Sequence, residues 1–251
     1  MGDGELLERM WASLTGLLRV VGGGSPGARL IERGGVVASV CPTLPDRSLF
    51  SSVVYADGEE LRAAIGDLAD DYDRAGVNAW TVWAHPDDGD TAGALEAAGH
   101  RLDAEPMAMG LDLDELVEVE PDRLAVEGGD VAVAGAINEV AFGLPAGAMA
   151  PGIQQLDDAH AHLYLGTVDG RPLTCAMTYE VDGEAGVFMV ATDPAAQGRG
   201  LASQLLTHAL RESRERGCTS STLQATRVGR PVYQRLGYRD LGRIGMWERR
   251  R

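Results

Sequence analysis

The chain has 251 residues, of which 45% are hydrophobic and 24% charged, and carries a formal net charge of -16. That composition belongs to a folded globular protein and excludes a disordered or fibrous one. The acidic balance excludes an unspecific nucleic-acid binder, which needs a cationic surface to displace phosphate counterions. Near the start, Leu6, Leu7, Met10, Trp11, Leu14, Leu17 and Leu18 fall on one face of a helix, and Asp3, Glu5 and Glu8 put acid where a secretory leader needs positive charge. No apolar run reaches the roughly 18–20 residues that cross a bilayer, so no membrane partner is expected and the protein is placed in the cytoplasm. Cys41, Cys175 and Cys218 are far apart and form no C-x-x-C pair. They read as small buried hydrophobes, and neither a disulfide nor a metal site is expected.

In chain order the first half predicts a helix over Gly58–Arg74 closed by Ala75-Gly76, a strand at Ala79–Trp83, a helix over Thr91–Ala98 and a strand at Met107–Leu111. The acidic run Asp112–Glu120, closed by Pro121, reads as a connector, which sets domains at 1–118 and 119–251. The second half predicts a helix over Val131–Phe142 and three strands at His162–Val168, Leu173–Val181 and Ala185–Ala191, separated by the Asp-Gly turns 169–170 and 182–183. A glycine-bearing loop then leads into a helix with apolar residues at 201/202, 205/206 and 209/210, ended by Gly217. A strand at Thr222–Ala225, a helix over Arg230–Leu236 and a last strand at Arg243–Glu248 follow. The closing elements of the two halves come in the same order with similar gaps, which suggests a tandem repeat. The fold class is α/β, a mixed α+β arrangement of a mainly antiparallel sheet flanked by helices, in two units.

The stretch from Val190 to Ser203 carries the chemistry. A strand, a loop with Gly198 and Gly200, and a helix N-terminus leave backbone amides facing an arriving anion at the positive end of the helix dipole. Residues 196–251 hold 12 arginines against 4 acids, a basic field suited to a small polyanion. Gln197-x-x-Gly200-x-Ala202 is similar to the pyrophosphate signature of the GNAT superfamily of acetyl-coenzyme A-dependent N-acetyltransferases. Tyr233-x-x-x-Gly237-Tyr238 resembles the Tyr-x-x-x-Gly-(Phe/Tyr) element that follows it there. The likeness covers roughly the last 120 residues and departs from the family at Thr226 and Gly229, where asparagine and alanine are frequent. The rival reading of Gly198-x-Gly200 as a dinucleotide turn ranks below it, because the third glycine is missing and an antiparallel meander precedes the loop.

The resemblance implies a GNAT-like fold for both units, with 119–251 as the catalytic acetyltransferase and 1–118 as a degenerate relative without a cofactor motif. It implies acetyl-CoA as cosubstrate, contacted by Val190, Ala191, Thr192, Gln197, Gly198, Arg199, Gly200, Leu201, Ala202 and Ser203. It implies direct attack of a primary amine, on a small-molecule or peptide acceptor, and it leaves a homodimer open. Strand amides around Val190–Thr192 would polarise the thioester carbonyl. Tyr233, which in the family sits beside the coenzyme sulfur, would protonate the leaving thiolate. The strand Val187–Val190 offers no carboxylate, so Glu180 and Glu184 at the preceding turn are the candidate general bases, with His160, His162 or a water chain as alternatives. Glu139, Phe142 and Tyr164 are candidate acceptor-lining residues. In the first half, Asp57, Glu59 and Glu60 would repel pyrophosphate, and Leu95 stands where the second half has Tyr233. A non-catalytic acyl-CoA sensor is the competing function.

Overall fold

The computed structural model describes residues 1–86, 88–153 and 159–251. In the first half the elements are α1 (Asp3–Gly24), β1 (Arg29–Arg33), β2 (Val36–Val40), β3 (Ser52–Tyr55), α2 (Gly58–Arg74), β4 (Ala79–Ala84), α3 (Gly89–Ala97), β5 (Arg101–Ala104) and β6 (Met107–Asp112). The second half adds β7 (Ala125–Gly128), α4 (Val131–Ala141), α5 (Ala150–Ile153), β8 (Ala161–Val168), β9 (Arg171–Val181), β10 (Glu184–Thr192), α6 (Leu201–Glu215), β11 (Ser220–Ala225), α7 (Arg230–Arg235), β12 (Arg239–Arg243) and β13 (Gly245–Arg250). The tandem, mixed α+β organisation read from the sequence is therefore present. Asp169-Gly170 and Asp182-Gly183 all take positive φ, as two-residue hairpin turns require.

The two sheets exchange strands. One runs β1-β2-β3-β4-β13-β5 and the other β12-β6-β11-β10-β9-β8-β7. Within each, one neighbouring pair is parallel (β3 with β4, β10 with β11), and the slot beside the later strand of that pair is filled from the other half of the chain. β6 inserts between β11 and β12, pairing Leu111 with Ser221 and Gly110 with Arg239. β13 inserts between β4 and β5, pairing Trp247 with Val82 and with Leu102. A boundary near 118/119 consequently does not divide the strands between the sheets. The single last strand expected at Arg243–Glu248 is in fact two strands, broken where Ile244 crosses between sheets with Gly242 and Gly245 on either side.

Helix α1 fills the space between the sheets. Its Leu6 touches β6 and its Ser13 lies over β10, where a Cβ at Gly186 would stand 2.5 Å from the Ser13 hydroxyl. Gly16 meets Tyr179 at a similarly close approach. The other side of α1 buries Met10, Trp11, Leu14 and Leu18 with Val37, Val54 and Trp83 of the first sheet and Ala108 and Ile244 of the exchange crossing. The apolar stripe legible in the sequence is thus an interface between halves. Trp83 belongs to it, whereas Trp80 is stacked on Tyr72 inside the core that α2 and α3 make with the first sheet.

The connector is anchored rather than loose. Val117 N–H donates to Leu236, Val119 N–H to Thr207 and Asp122 N–H to Gln204, and Glu118 pairs with Arg211 and Arg214. Strands β1, β2, β3, β5 and β7 were not evident from periodicity; β2 is buried on both faces and so shows no alternation.

All four tryptophans, Trp11, Trp80, Trp83 and Trp247, lie in or against the first sheet, so tryptophan fluorescence reports on that sheet. Leu111→Ala in β6 empties a fully buried position of the other sheet and should cost about 2–5 kcal/mol. Because the exchange couples the sheets, the urea midpoint read by tryptophan should fall with it. A tryptophan transition that stays put would show the sheets unfolding independently.

Candidate active site

The site begins where two strands part. β10 and β11 pair in parallel from Glu184–Ser220 to Val187–Leu223, and beyond Val187 the ladder between them ends. β10 continues against β9 through a bulge between Phe188 and Ala191, while β11 continues against β6 to Ala225. At the bulge Met189 takes φ 52°, a left-handed backbone that costs a side-chain-bearing residue roughly 1–2 kcal/mol. Its carbonyl is turned out of the ladder to accept from Cys175 Sγ (3.3 Å) and Asn138 Nδ2 (3.4 Å). The extra residue resets the alternation of the strand. Phe188 and Met189 both pack on the α1/α4 face and Val190 on the α6 face. The edge of β10 toward β11 is unpaired from 188 to 192.

The cradle closes one end of this opening. Asp193 caps a short 3-10 turn, Pro194–Ala196, and Gln197 Nε2 donates to the Thr192 carbonyl at 3.2 Å. Gly198 and Gly200 both sit at φ 75°, and Gly200 is the N-cap of α6 without any side-chain cap bond. The first-turn amides of α6 are therefore left for an external partner. Space above them is open: a Cβ at Gly198 would meet nothing within 4 Å, and one at Gly200 only Gln204 at 3.7 Å. Gln197, Gly198, Arg199 and Gly200 are exposed, Ala202 is half-buried, and Leu201 and Ser203 are buried. The structure thus brings the strand residues Val190–Thr192 and the loop Gln197–Ser203 together around one opening that suits an extended ligand with a pyrophosphate.

Tyr233 on α7 and Tyr238 on the turn after it are edge-to-face, 5.9 Å apart. Tyr238 is fixed, its hydroxyl bonded to Ser221 at 2.6 Å. Tyr233 is 8% exposed, and among the described residues its hydroxyl has no hydrogen-bond partner. Burial pushes its phenol up to about 12, so it carries its proton at neutral pH. Cys175 is likewise pushed up to about 12 by burial and remains a thiol.

Of the candidate bases, Glu180 lies on the neighbouring strand, and Glu184 lies on β10 at the closed end of the β10/β11 ladder. Glu180 lies on β9 opposite Ala185, and Arg216 binds both its oxygens. Burial opposes its charge, but the Arg216 bonds prevail and hold its carboxyl below the usual range. His162 lies 3.6 Å from the same carboxylate, and the His160 ring contacts the Glu180 carbonyl. Glu184 is 1% exposed and accepts from Ser220 and Thr222 at 2.5 Å each, and burial raises its carboxyl. Of the residues expected to line the acceptor, Glu139 instead accepts the amides of Gly147 (2.8 Å) and Met149 (2.7 Å), which shapes the loop after α4. Tyr164 lies on the α6 face, bonded to Glu212 and Arg216, and Phe142 is exposed. Sequence reasoning missed the bulge at Met189, for which no local signal exists, and the polar face of β11 that ends in Gln224.

Residues 140–238 match the Acetyltransferase (GNAT) family. No curated protein matches the chain. Among solved structures, a GCN5-related N-acetyltransferase from Kribbella flavida is similar over 96% of this chain and 95% of its own, at 19% identity and TM-score 0.67. Another GCN5-related N-acetyltransferase, from Sphaerobacter thermophilus, covers 88% and 82% at 19% identity and TM-score 0.59. A tandem GNAT protein from the clavulanic acid biosynthesis pathway covers 97% and 95% at 14% identity and TM-score 0.60. The tandem GNAT fold is common to them and to this chain.

In the first GNAT-like unit the equivalent opening is filled. β3 and β4 pair only at Ser52–Thr81 and Val53–Val82. Above them the Tyr55 hydroxyl donates to Asp88 (2.9 Å) and accepts the His85 N–H (3.0 Å). The helix that follows is capped by Asp57, which accepts the Glu59 amide at 2.7 Å. Among the described residues no three His, Cys, Asp or Glu side chains gather as a metal site, and no helix is long and apolar enough to cross a membrane.

Glu184 yields a prediction with a definite sign. Its folded carboxyl is raised, so the stability it contributes is complete below about pH 4 and is lost as pH rises through the folded value. Glu184→Gln stays neutral and keeps an acceptor for the two hydroxyls. Its melting temperature should exceed the wild type's at pH 8, by a margin that shrinks toward pH 5. A margin constant across that range would sink the assignment.

Proposed function

We propose that the chain is an acetyl-CoA-dependent N-acetyltransferase acting in the cytoplasm on a primary amine of a small molecule or peptide. One observation carries the reading: the β10/β11 ladder opens after Val187 directly beside a helix N-terminus with two left-handed glycines and no cap. Acetyl-CoA supplies the acetyl group as an activated thioester. The amides of Gly198 to Ser203 would hold its pyrophosphate, with Arg199 beside them and Gln197 bracing the loop. Val190, Ala191 and Thr192 present the unpaired edge of β10 to its pantetheine arm.

On the α1/α4 face, the amine nitrogen attacks the carbonyl carbon as the C–N bond forms and the C–S bond breaks. Backbone N–H groups of β10 past the bulge are placed to stabilise the charge developing on the carbonyl oxygen. Tyr233 donates its phenolic proton to the departing sulfur. The water exclusion that raises this phenol also raises a thiol beside it, so the two remain matched. Of the candidate bases, Glu184 is favoured. It shares the α1 face with the attacking amine, burial makes it a stronger base, and the Thr222 hydroxyl extends from it toward the opening. Glu180 is held by Arg216, which lowers its basicity.

Acetyl-CoA should bind one per chain and raise the melting temperature, since a ligand bound only by the native state stabilises it. Gly200→Glu should abolish the shift while the protein stays folded; unchanged affinity would remove the cradle assignment. Thiol release with an amine panel separates the enzyme from a sensor that only binds. Tyr233→Phe should lower kcat by about 10²–10⁴ with little change in coenzyme affinity. Full turnover in that variant would make Tyr233 structural. In pH–rate profiles Glu184→Gln should lose rate and its acid limb, while Glu180→Gln should keep both; the reverse result would exchange their roles.

A further inference from the structure

The small core under α4 is apolar, built on Ala134, Ile137, Leu165 and Ala191, yet two polar groups are buried with it, the amide of Asn138 on α4 and the thiol of Cys175 on β9. Packing α4 on the sheet requires neither, since an apolar pair of the same shape can serve at little cost. What they hold is the carbonyl of Met189. Asn138 Nδ2 donates to Cys175 Sγ at 3.2 Å, and Cys175 Sγ donates in turn to the Met189 oxygen at 3.3 Å. Asn138 Nδ2 also lies 3.4 Å from that oxygen, and it donates to the Ala134 carbonyl, one turn back on its own helix, at 2.9 Å. The clamp is thus anchored on α4 and β9 and grips β10 at its bulge.

A trans peptide puts the carbonyl of one residue and the N–H of the next on opposite sides of the chain. With the Met189 carbonyl turned in toward β9 and α4, the Val190 N–H is turned out, toward the edge that β11 has left. Two residues on, the Ala191 carbonyl accepts from the Thr174 hydroxyl at 2.9 Å, and the Thr192 N–H is turned out in the same way. Ala191 and Thr192 are held in register by Cys175 and Thr174, whereas Met189 and Val190 pair with no residue of β9. A left-handed Met189 persists only where its surroundings over-determine it, and the clamp supplies what the missing pairs do not. We propose that Asn138 and Cys175 are positioning residues for the acetyl thioester, holding the 189–190 peptide so that the Val190 N–H donates to the thioester carbonyl oxygen. They are 3% and 0% exposed and act through the backbone that they hold. A donor aimed where charge develops favours the transition state over the bound thioester, so loosening it costs rate and not coenzyme affinity. Only the identity of the ligand rests on the acetyltransferase reading; the clamp itself does not.

The test is infrared spectroscopy of acetyl-CoA labelled with carbon-13 at the thioester carbonyl and bound to the protein without an amine, alongside steady-state kinetics. A hydrogen bond to the oxygen weakens the C=O bond, so the bound band should lie at lower frequency in the wild type than in the double variant Cys175→Ala with Asn138→Leu. Cys175→Ser keeps a donor in the same place and should retain the wild-type band. In the double variant kcat should fall about 10²-fold, as a misplacement of about 1 Å does, with KM for acetyl-CoA and its thermal shift unchanged. Cys175→Ala alone, a loss of one sulfur, should move the band and kcat in the same direction by less, and it carries the comparison if the double variant does not fold. One band position in all the proteins, or coenzyme affinity falling together with kcat, overturns the inference and leaves the coenzyme cradle standing. A wild type that fails to bind acetyl-CoA overturns the coenzyme reading and this inference with it. A displaced band without thiol release keeps the inference and removes the enzyme.

Discussion

A sheet that lacks an interior strand exposes two unpaired edges, and in this protein each sheet has a slot that only the other half of the chain fills. β6 leaves the first half to complete the second sheet, and β13 returns to complete the first. Met109 and Leu111 of β6 are fully buried in the second core, and Trp247 of β13 packs against the first. Removing either strand would expose two ladder edges and a core face at once. The cradle, the splayed strands and the position of α7 all depend on this arrangement, since β6 is the strand against which β11 continues after it parts from β10.

The same arrangement explains why an otherwise ordinary helix becomes part of a site. With the sheets locked by exchange, α1 is trapped between them, and its small residues Ser13 and Gly16 let β10 and β9 approach closely. Its large residues face the first sheet. The second unit therefore has one face of its opening covered by α6 and α7 and the other by the first half of the chain. The first unit's own opening is spanned by the hydrogen bonds of Tyr55 to Asp88 and His85. That division is economical in chemistry: one polar cradle, one unpartnered tyrosine, and apolar walls drawn from both halves.

Much of this was legible in residues whose local physics leaves little choice. The two Asp-Gly turns fixed a meander, and Gly198 and Gly200 marked the left-handed turn into an amphipathic helix with an uncapped N-terminus. Tyr233 stood out by its spacing to Gly237. What the sequence hid was non-local. Nothing in Met107–Asp112 says that this strand pairs with Thr222 and not with a neighbour in its own half, because an apolar strand suits any core. Burial on both faces erased the alternation that would have revealed β2. The pairing of Glu180 with Arg216, 36 positions away, was likewise invisible in the sequence.

The exchanged last strand bears on how the molecule is made. Chains emerge from the ribosome with the N-terminal part first, and domains commonly fold as they appear. Here the first half cannot finish its sheet until the second half has been made, because the strand that fits between β4 and β5 spans Gly245–Arg250. The half that is born first waits for a strand of the second, and until that strand arrives it carries two unpaired strand edges beside a cluster of tryptophans. A nascent chain with that exposure is a natural client for chaperones, and substitutions in β13 would be felt most in the part of the protein translated earlier.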